Sequence, residues 1–522
     1  MPRFALGAAW VAALSALWVY VQTLSPTVAW VNQGEDSGDL LVAAATLGIP
    51  HPTGYPLFTL LGRAASLVPL GTVAFRINLI AALAGAASVF FLARLVQELS
   101  ASRVETETRP VSALLPALAS AGAALAYAFS RGAWSQSVLA EVYTLNVAFL
   151  GAVLWTLARA DRTSSVRHLC LAAFLFGLGL TNHRLLLATG PALVLVTWRF
   201  ALTRRIGKAG LVLLPLLALW GGTLYLYLPI RGWAGPEFSW GVPTTPERFW
   251  WMVSGAQYAQ HFFSRGLPAT LAYLAHGRLV VDFGWGLIAI ATGVAAGLVT
   301  RPGRSWLLWA TAATAVIPLA VYSIPDDAGY WMPIAFLAAA VAGLGWCSLA
   351  GAPRARGAMG VAVAALAFGS AAYALPAHWS AVDASRDLRP WLYARRNLEA
   401  VEPNALILSE YDGRTFALWF YKATEFRASR PDVAVLYKYL LVWPWYQHHL
   451  ARRYPGVSIP RYGGDLDAMM NRIVARNVRT RPVYLVRKDP ALLSIFHTQP
   501  AGYELDPLYR VTVTAPDSLP AW

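Results

Sequence analysis

The feature that most constrains this chain is a succession of apolar runs, each near the length of about 20 residues that a helix needs to cross a bilayer. The runs fall at residues 4–30, 73–96, 111–129, 137–157, 168–180, 185–198, 209–230, 279–299, 305–322, 330–349 and 358–377, about eleven spans of which the fifth and sixth are short. Only 13% of the 522 residues are charged and 57% are hydrophobic, against about a quarter charged in a soluble domain. Such a surface has to face lipid. That excludes a cytosolic enzyme, a secreted disulfide scaffold and a disordered chain.

The net charge of +15 does not signal nucleic acid, because the basic residues form no face and flank the apolar runs instead. With Arg3 in the cytoplasm, the Arg-rich short loops fall on the cytoplasmic side, and only Arg131 and Arg184 oppose the positive-inside rule. An odd number of spans then puts the C-terminal region outside. The first run is long for a signal-peptide core and reads as an uncleaved span. Both cysteines, Cys170 and Cys347, sit in apolar runs and read as buried thiols.

Two outside segments are long, 32–71 and 231–276. Their patches 40–47, 57–67 and 248–259 predict helices lying in the interface plane. After residue 377 charges become frequent and the apolar runs stop. The chain therefore divides into a polytopic membrane part, 1–377, and a soluble part of about 145 residues, 378–522. Short buried strands at 405–409, 433–437 and 482–487 alternate there with helical patterns at 414–427, 445–454 and 466–478, the signature of a small α/β domain. No Gly-rich phosphate loop follows any of these strands.

Residues with chemical potential collect on the outer face. Glu35 and Asp36 follow the first span, where an acidic pair can supply a general base; the same Gly-Glu-Asp-Ser-Gly composition also makes a solvated turn. His51-Pro52-Thr53-Gly54-Tyr55-Pro56 is a rigid elbow whose His and Tyr can bond a substrate or simply brace a turn. Glu141 and Tyr143 open the fourth span, and His183 and Arg184 mark the junction of the fifth and sixth, as cavity-facing groups or as helix caps. Arg231, at the outer end of the seventh span, suits a lipid phosphate or interfacial snorkelling. Trp240, Arg248 and Tyr258 follow on the same side, and Asp326 and Asp327 precede Tyr330 in another outer loop.

Asp36-Ser37-Gly38-Asp39, then Leu47-Gly48-Ile49-Pro50 and His51-Pro52-Thr53-Gly54-Tyr55-Pro56-Leu57, resemble the opening of the DUF2723 family, whose usual form reads Asp-Ser-Gly-Glu and His-Pro-Pro-Gly-Tyr-Pro-Leu. Arg76, Asn78, Glu141-Val142-Tyr143, Asn182-His183, Tyr227-Leu228-Pro229-Ile230-Arg231, Trp240-Gly241, Gln257-Tyr258 and Asp327 with Tyr330 are similar to family residues in the same order. Thr53 and Asp39 depart from the usual Pro and Glu. The resemblance implies a GT-C-type membrane glycosyltransferase, protein O-mannosyltransferase-like. It implies a polyprenyl-phosphate sugar donor and an outward-facing site, with Asp36 as base and Glu35 in support. Donor binding would fall to Arg231, His51, Tyr55, His183 and Arg184. Acceptor binding or structural support would fall to Asp39, Glu141, Tyr143, Trp240, Asp327 and Tyr330. Arg231 is assigned the leaving phosphate from its place and chemistry. Such a donor requires neither nucleotide fold, cofactor nor metal.

The expectation is thus a membrane α-helical bundle with a C-terminal extracytoplasmic α/β domain, moving a sugar, mannose among the options, to an acceptor hydroxyl of a protein with inversion. Transfer to a lipid or envelope glycan is the alternative within enzymes. A transporter or a non-catalytic scaffold of envelope assembly are the rivals from other classes; no pair of Gly/Pro-interrupted spans repeats in two halves, as transporters often show.

Overall fold

A computed structural model describes residues 3–101, 110–275, 277–300, 305–323, 327–350, 358–488 and 496–512. Among them, seven helices are long and apolar enough to cross a membrane: Arg3–Gln22, Val73–Ser100, Tyr143–Thr163, Arg184–Leu202, Lys208–Ala234, Ala328–Ala350 and Gly360–Val382. Shorter apolar helices, Leu114–Ala128, Val166–Leu180 and Trp306–Val321, stand with them. The run at 279–299 is not one straight helix: it breaks between Leu279–Phe283 and Gly286–Thr300 at Gly284, whose φ of +52° suits a residue without Cβ. The run at 137–157 starts later than its apolarity suggests, because Arg131–Ser137 forms a separate, mostly buried helix. The chain is an integral, multi-pass membrane protein.

Lipid offers no hydrophobic drive between helices, so close backbone packing has to supply the contact. Val166–Leu180 and Lys208–Gly222 meet at Gly177 and Gly221, where an added Cβ would stand 1.8 Å from the Ala218 carbonyl oxygen and 2.4 Å from that of Phe174. Outward residues such as Trp10, Leu14, Trp18, Leu216, Leu219 and Trp220 are exposed, as a lipid-facing surface requires. Glu98 is buried at one end of Val73–Ser100 and pairs with Arg159 and Arg162 at 3.3 and 2.5 Å.

The C-terminal part builds a five-stranded sheet in the order β2-β1-β3-β5-β4, from β1 (Leu406–Ser409), β2 (Ala434–Tyr437), β3 (Val483–Leu485), β4 (His497–Ala501) and β5 (Leu508–Thr512). The three apolar strands read from the sequence are its parallel section, with β2 and β3 flanking β1. The helix Asp412–Ala423 crosses from β1 to β2, and Pro444–Arg453 and Leu466–Asn477 lie between β2 and β3. The antiparallel hairpin β4–β5 was not foreseen, because its polar first strand lacks apolar alternation.

The outer segment after the first span corrects one expectation. Ser37–Thr46 does not lie in the interface plane: its residues from Ser37 to Ala44 are all buried, between Pro56–Ser66 and Asp412–Ala423. Pro56–Ser66 and Pro246–Ser254 do keep exposed apolar side chains, Leu61 and Trp250 among them. One apolar cluster runs unbroken from Val28, Leu40, Leu41 and Phe58 through Trp240 to Tyr393, Leu406, Phe416 and Leu436, so the outer segments and the C-terminal sheet share a core.

Candidate active site

The segment after the first span is held by polar staples. Buried Asn78 donates to the carbonyls of Ser25 and Thr27 at 2.8 and 3.0 Å, and the Ser37 hydroxyl bonds both N and O of Ala29. These staples deliver Asp36 to the start of Ser37–Thr46, beside a cavity of about 600 Å³. Asp36 keeps 41% of its side chain exposed while lining that cavity.

One turn on, Asp39 is 1% exposed and fully used. Its Oδ2 accepts the His51 main-chain N–H at 2.8 Å and lies 2.9 Å from His51 Nδ1, and its Oδ1 accepts from Trp240 Nε1 at 3.0 Å. The Tyr55 hydroxyl donates to the Pro52 carbonyl at 3.0 Å and stands 3.1 Å from His51 Nε2. With its proton directed to the Pro52 carbonyl, the hydroxyl accepts from Nε2–H while the Asp39 carboxylate accepts Nδ1–H, the bonding an imidazolium makes. Burial alone would lower the His51 pKa, but the Asp36 charge and the Asp39 hydrogen bond outweigh it and hold the ring above its ordinary value. His51 Nε2 lies 3.9 Å from Asp36 Oδ2. Asp36 is raised, first by its withdrawal from bulk water into the cavity, with His51 opposing and Asp39 assisting. A raised carboxylate is a stronger base than a free one.

An aromatic wall closes one side. Tyr55 stacks on His183 with centroids 5.9 Å apart, and Tyr143 and Tyr330 continue it. His183 Nδ1 accepts the Leu185 N–H at 3.1 Å, which leaves the ring proton of a neutral imidazole on Nε2. Arg184 supplies the guanidinium among the lining residues. One guanidinium nitrogen donates to the Ser254 carbonyl at 2.7 Å, and no carboxylate among the described residues pairs with it.

Of the residues singled out from sequence, Glu35, Asp36, His51, Tyr55, Tyr143, His183, Arg184 and Tyr330 line this cavity together. Asp39 and Trp240 stand behind His51 as support. Three do not join. Arg231 donates from Nε to the Leu47 carbonyl at 2.6 Å and holds the end of Ser37–Thr46, so it is not the cavity's guanidinium. Asp327 pairs with Arg278 at 2.7 Å and accepts from Tyr273 at 2.5 Å beside a different hollow. Glu141 is buried at the start of Tyr143–Thr163 without lining the cavity. Asp326 lies outside the described residues. Sequence reasoning missed Trp30, Gln33, His261, Tyr322 and Asp412, all of which line it; Tyr258, noted as an outer aromatic and in the family resemblance, does too. Asp412 carried a usable signal, its place just past the carboxyl end of a parallel strand. Among the described residues no group of three or more His, Cys, Asp or Glu gathers as for a metal ion.

Residues 36–204 match the family described as the Protein O-mannosyl-transferase TMEM260 N-terminal domain, a match that begins at Asp36. The mouse Protein O-mannosyl-transferase TMEM260 is 26% identical over 461 residues, 82% of this chain and 62% of the mouse protein. The Dictyostelium discoideum protein of the same description is 30% identical over 196 residues, 34% of this chain and 22% of its own length. This chain thus spans less than two thirds of either relative. Among solved structures, ArnT from Cupriavidus metallidurans bound to undecaprenyl phosphate superposes with a TM-score of 0.61 at 14% identity, covering 97% of this chain and 98% of ArnT. Apo ArnT gives 0.62 at 13% identity, covering 98% of each. The likeness extends over the C-terminal sheet as well as the membrane helices. The fold is the membrane-helical GT-C type.

Proposed function

We propose that this chain is a membrane glycosyltransferase that moves a sugar, mannose first among candidates, from a polyprenyl-phosphate donor to an acceptor hydroxyl of a protein, on the extracytoplasmic side and with inversion. The observation that carries the proposal is Asp36: a carboxylate made more basic by its surroundings, set against the clamped His51 imidazolium, at the edge of a large cavity with its own arginine. The name shared by the two relatives supports protein and mannose; the undecaprenyl phosphate of ArnT supports the donor.

In this reading Asp36 takes the proton of the acceptor hydroxyl as its oxygen bonds to the anomeric carbon. The bond from that carbon to the phosphate oxygen breaks on the opposite side, and the leaving lipid phosphate gains charge. Arg184 meets that charge with its remaining N–H groups, and His183 offers Nε2–H, both positioned before the reaction begins. His51, fixed by Asp39, keeps Asp36 oriented and ionised until the hydroxyl arrives. The arginine distribution supports an extracytoplasmic first outer segment.

The test is turnover of polyprenyl-phosphate sugars by the full-length protein in nanodiscs, followed by mass spectrometry. Asp36→Asn should lower the rate about a hundredfold or more, the usual value of base catalysis. Equal turnover by wild type and variant removes Asp36 from the mechanism.

A further inference from the structure

One carboxylate in the cavity has no part in the reaction just proposed. Asp412 opens the helix Asp412–Ala423 of the C-terminal part, yet it lines the same cavity as Glu35, Asp36 and His51. Its position is fixed from three directions. The Trp30 indole, in the segment that carries Asp36, donates from Nε1 to the carbonyl of the next residue, Gly413, at 2.9 Å. One turn further, the Phe416 backbone approaches Gly38 so closely that a Cβ at 38 would stand 2.8 Å from it, which locks the two helices together. From the sheet, the Tyr437 hydroxyl donates to Asp412 Oδ1.

The topology explains why a carboxylate is there. β1 ends at Ser409 and β2 at Tyr437, and the two are adjacent and parallel. Asp412 and Tyr437 therefore sit at the carboxyl ends of neighbouring parallel strands, the place where open α/β sheets hold their ligands. Here that edge opens onto the membrane part's cavity. Asp412 Oδ2 accepts from no group among the described residues, whereas Oδ1 is occupied by Tyr437.

We propose that Asp412 is a second carboxylate of the acceptor subsite, accepting a hydrogen bond from a second donor of the nucleophile (a peptide N–H beside the reacting hydroxyl, or the other O–H when water attacks) while Asp36 takes the hydroxyl's single proton, so that the C-terminal sheet supplies part of the reaction centre. The proposal rests on the glycosyl-transfer reading above. Asp412 is faced by Asp36, Glu35, His51 and Tyr437; burial first, then the Asp36 charge, raise it to about 6, which leaves it an acceptor at neutral pH.

The full-length protein in nanodiscs is given a panel of polyprenyl-phosphate sugars, including the mannose form. Donor affinity, hydrolysis with water as the nucleophile, and transfer to a threonine peptide are measured. Asp412→Asn, nearly isosteric, should lower hydrolysis and transfer at least tenfold with donor Kd unchanged within twofold. Tyr437→Phe, which leaves the charge but releases its orientation, should show the same split with a smaller loss, and it carries the test alone if Asp412→Asn does not fold. Hydrolysis by Asp412→Asn within twofold of wild type overturns the proposal, as does a donor Kd that weakens in step with the rate. Wild type inactive on every sugar removes the glycosyl-transfer reading and this proposal together, whereas an active wild type with an unimpaired variant removes only this one.

Discussion

Asp39→Asn takes one negative charge out of the interior while barely changing the volume. Asp39 receives two donors from His51, at 2.8 and 2.9 Å, and one from Trp240 at 3.0 Å. An amide accepts through its oxygen alone, so at least one of those donors then meets an NH₂ group. A hydrogen bond involving a charged partner contributes about 1.5–3 kcal/mol, and about 1.4 kcal/mol is tenfold, so losing the His51 contact predicts a kcat/KM roughly 10- to 150-fold lower. The pH dependence moves in a defined direction. Burial pulls His51 down, and the charge of Asp36 with the bond and charge of Asp39 lift it above its ordinary value. Removing Asp39 takes away two of the lifting contributions, so the ring loses its proton at lower pH and the alkaline limb of kcat/KM shifts toward acid. The same raised value means that the stability drawn from this cluster is complete below the ordinary histidine pKa of about 6.5 and is lost as pH rises through the folded value. Release of polyprenyl phosphate, followed by mass spectrometry across about pH 5 to 9, reads both effects. An Asp39→Asn protein with wild-type kcat/KM and an unshifted alkaline limb would refute the clamped imidazolium.

Two further outcomes are expected. Arg184→Ala should weaken binding of polyprenyl phosphate in nanodiscs by roughly 10- to 150-fold, the value of a charge-assisted bond, whereas Arg231→Ala, which frees the Leu47 carbonyl away from the cavity, should leave that affinity within about threefold; the reverse ranking would restore Arg231 as the phosphate ligand. Glu237→Gln strips the counterion from Lys422, which is 4% exposed and 2.6 Å away, and should destabilise the C-terminal part by about 3–5 kcal/mol, read as an earlier thermal transition. Burial pushes Glu237 up, but Lys422 and Arg453 more than reverse it and hold its pKa below the usual value. The pair's contribution is therefore present above the ordinary glutamate range and disappears as pH falls through the lowered value. A transition equally acid-sensitive in wild type and variant would show that another group carries the effect.

Much of the membrane part was legible because lipid leaves few solutions: an apolar run of spanning length has no option but helix. The parallel strands were legible for a related reason, since strands buried on both faces read as continuous apolar runs, as Leu406–Ser409 and Ala434–Tyr437 do. Asp36, His51 and Tyr55 could be picked out because all three lie in marked motifs within one outer segment of about twenty residues. What the sequence hid was partnership at long range. Nothing local distinguishes Arg231, which bonds a backbone carbonyl, from Arg184, which borders the cavity; both end an apolar run. The patch 40–47 read as amphipathic, but the polar residues of Ser37–Thr46 meet protein rather than water, Ser37 at Ala29 and Asp39 at His51 and Trp240, while Asp412–Ala423 packs on the helix at Gly38. Asp412 meets Asp36, Glu35 and His51 only across hundreds of residues, and no window of sequence contains them together.

Those crossings set an order of events in biosynthesis. The Thr27 hydroxyl donates to the Asp387 carbonyl, and the Trp30 indole to Gly413, across 360 and 383 residues. The segment bearing Asp36 leaves the ribosome more than 350 residues ahead of these partners and waits for them before its bonds can close. Synthesis at about 5–20 residues per second makes that delay tens of seconds, during which Leu40, Leu41 and Val42 lack the core that later buries them. A nascent or truncated chain lacking the segment around Gly413 therefore inserts its helices without a finished reaction centre, and the arrival of that segment is the step that arms it.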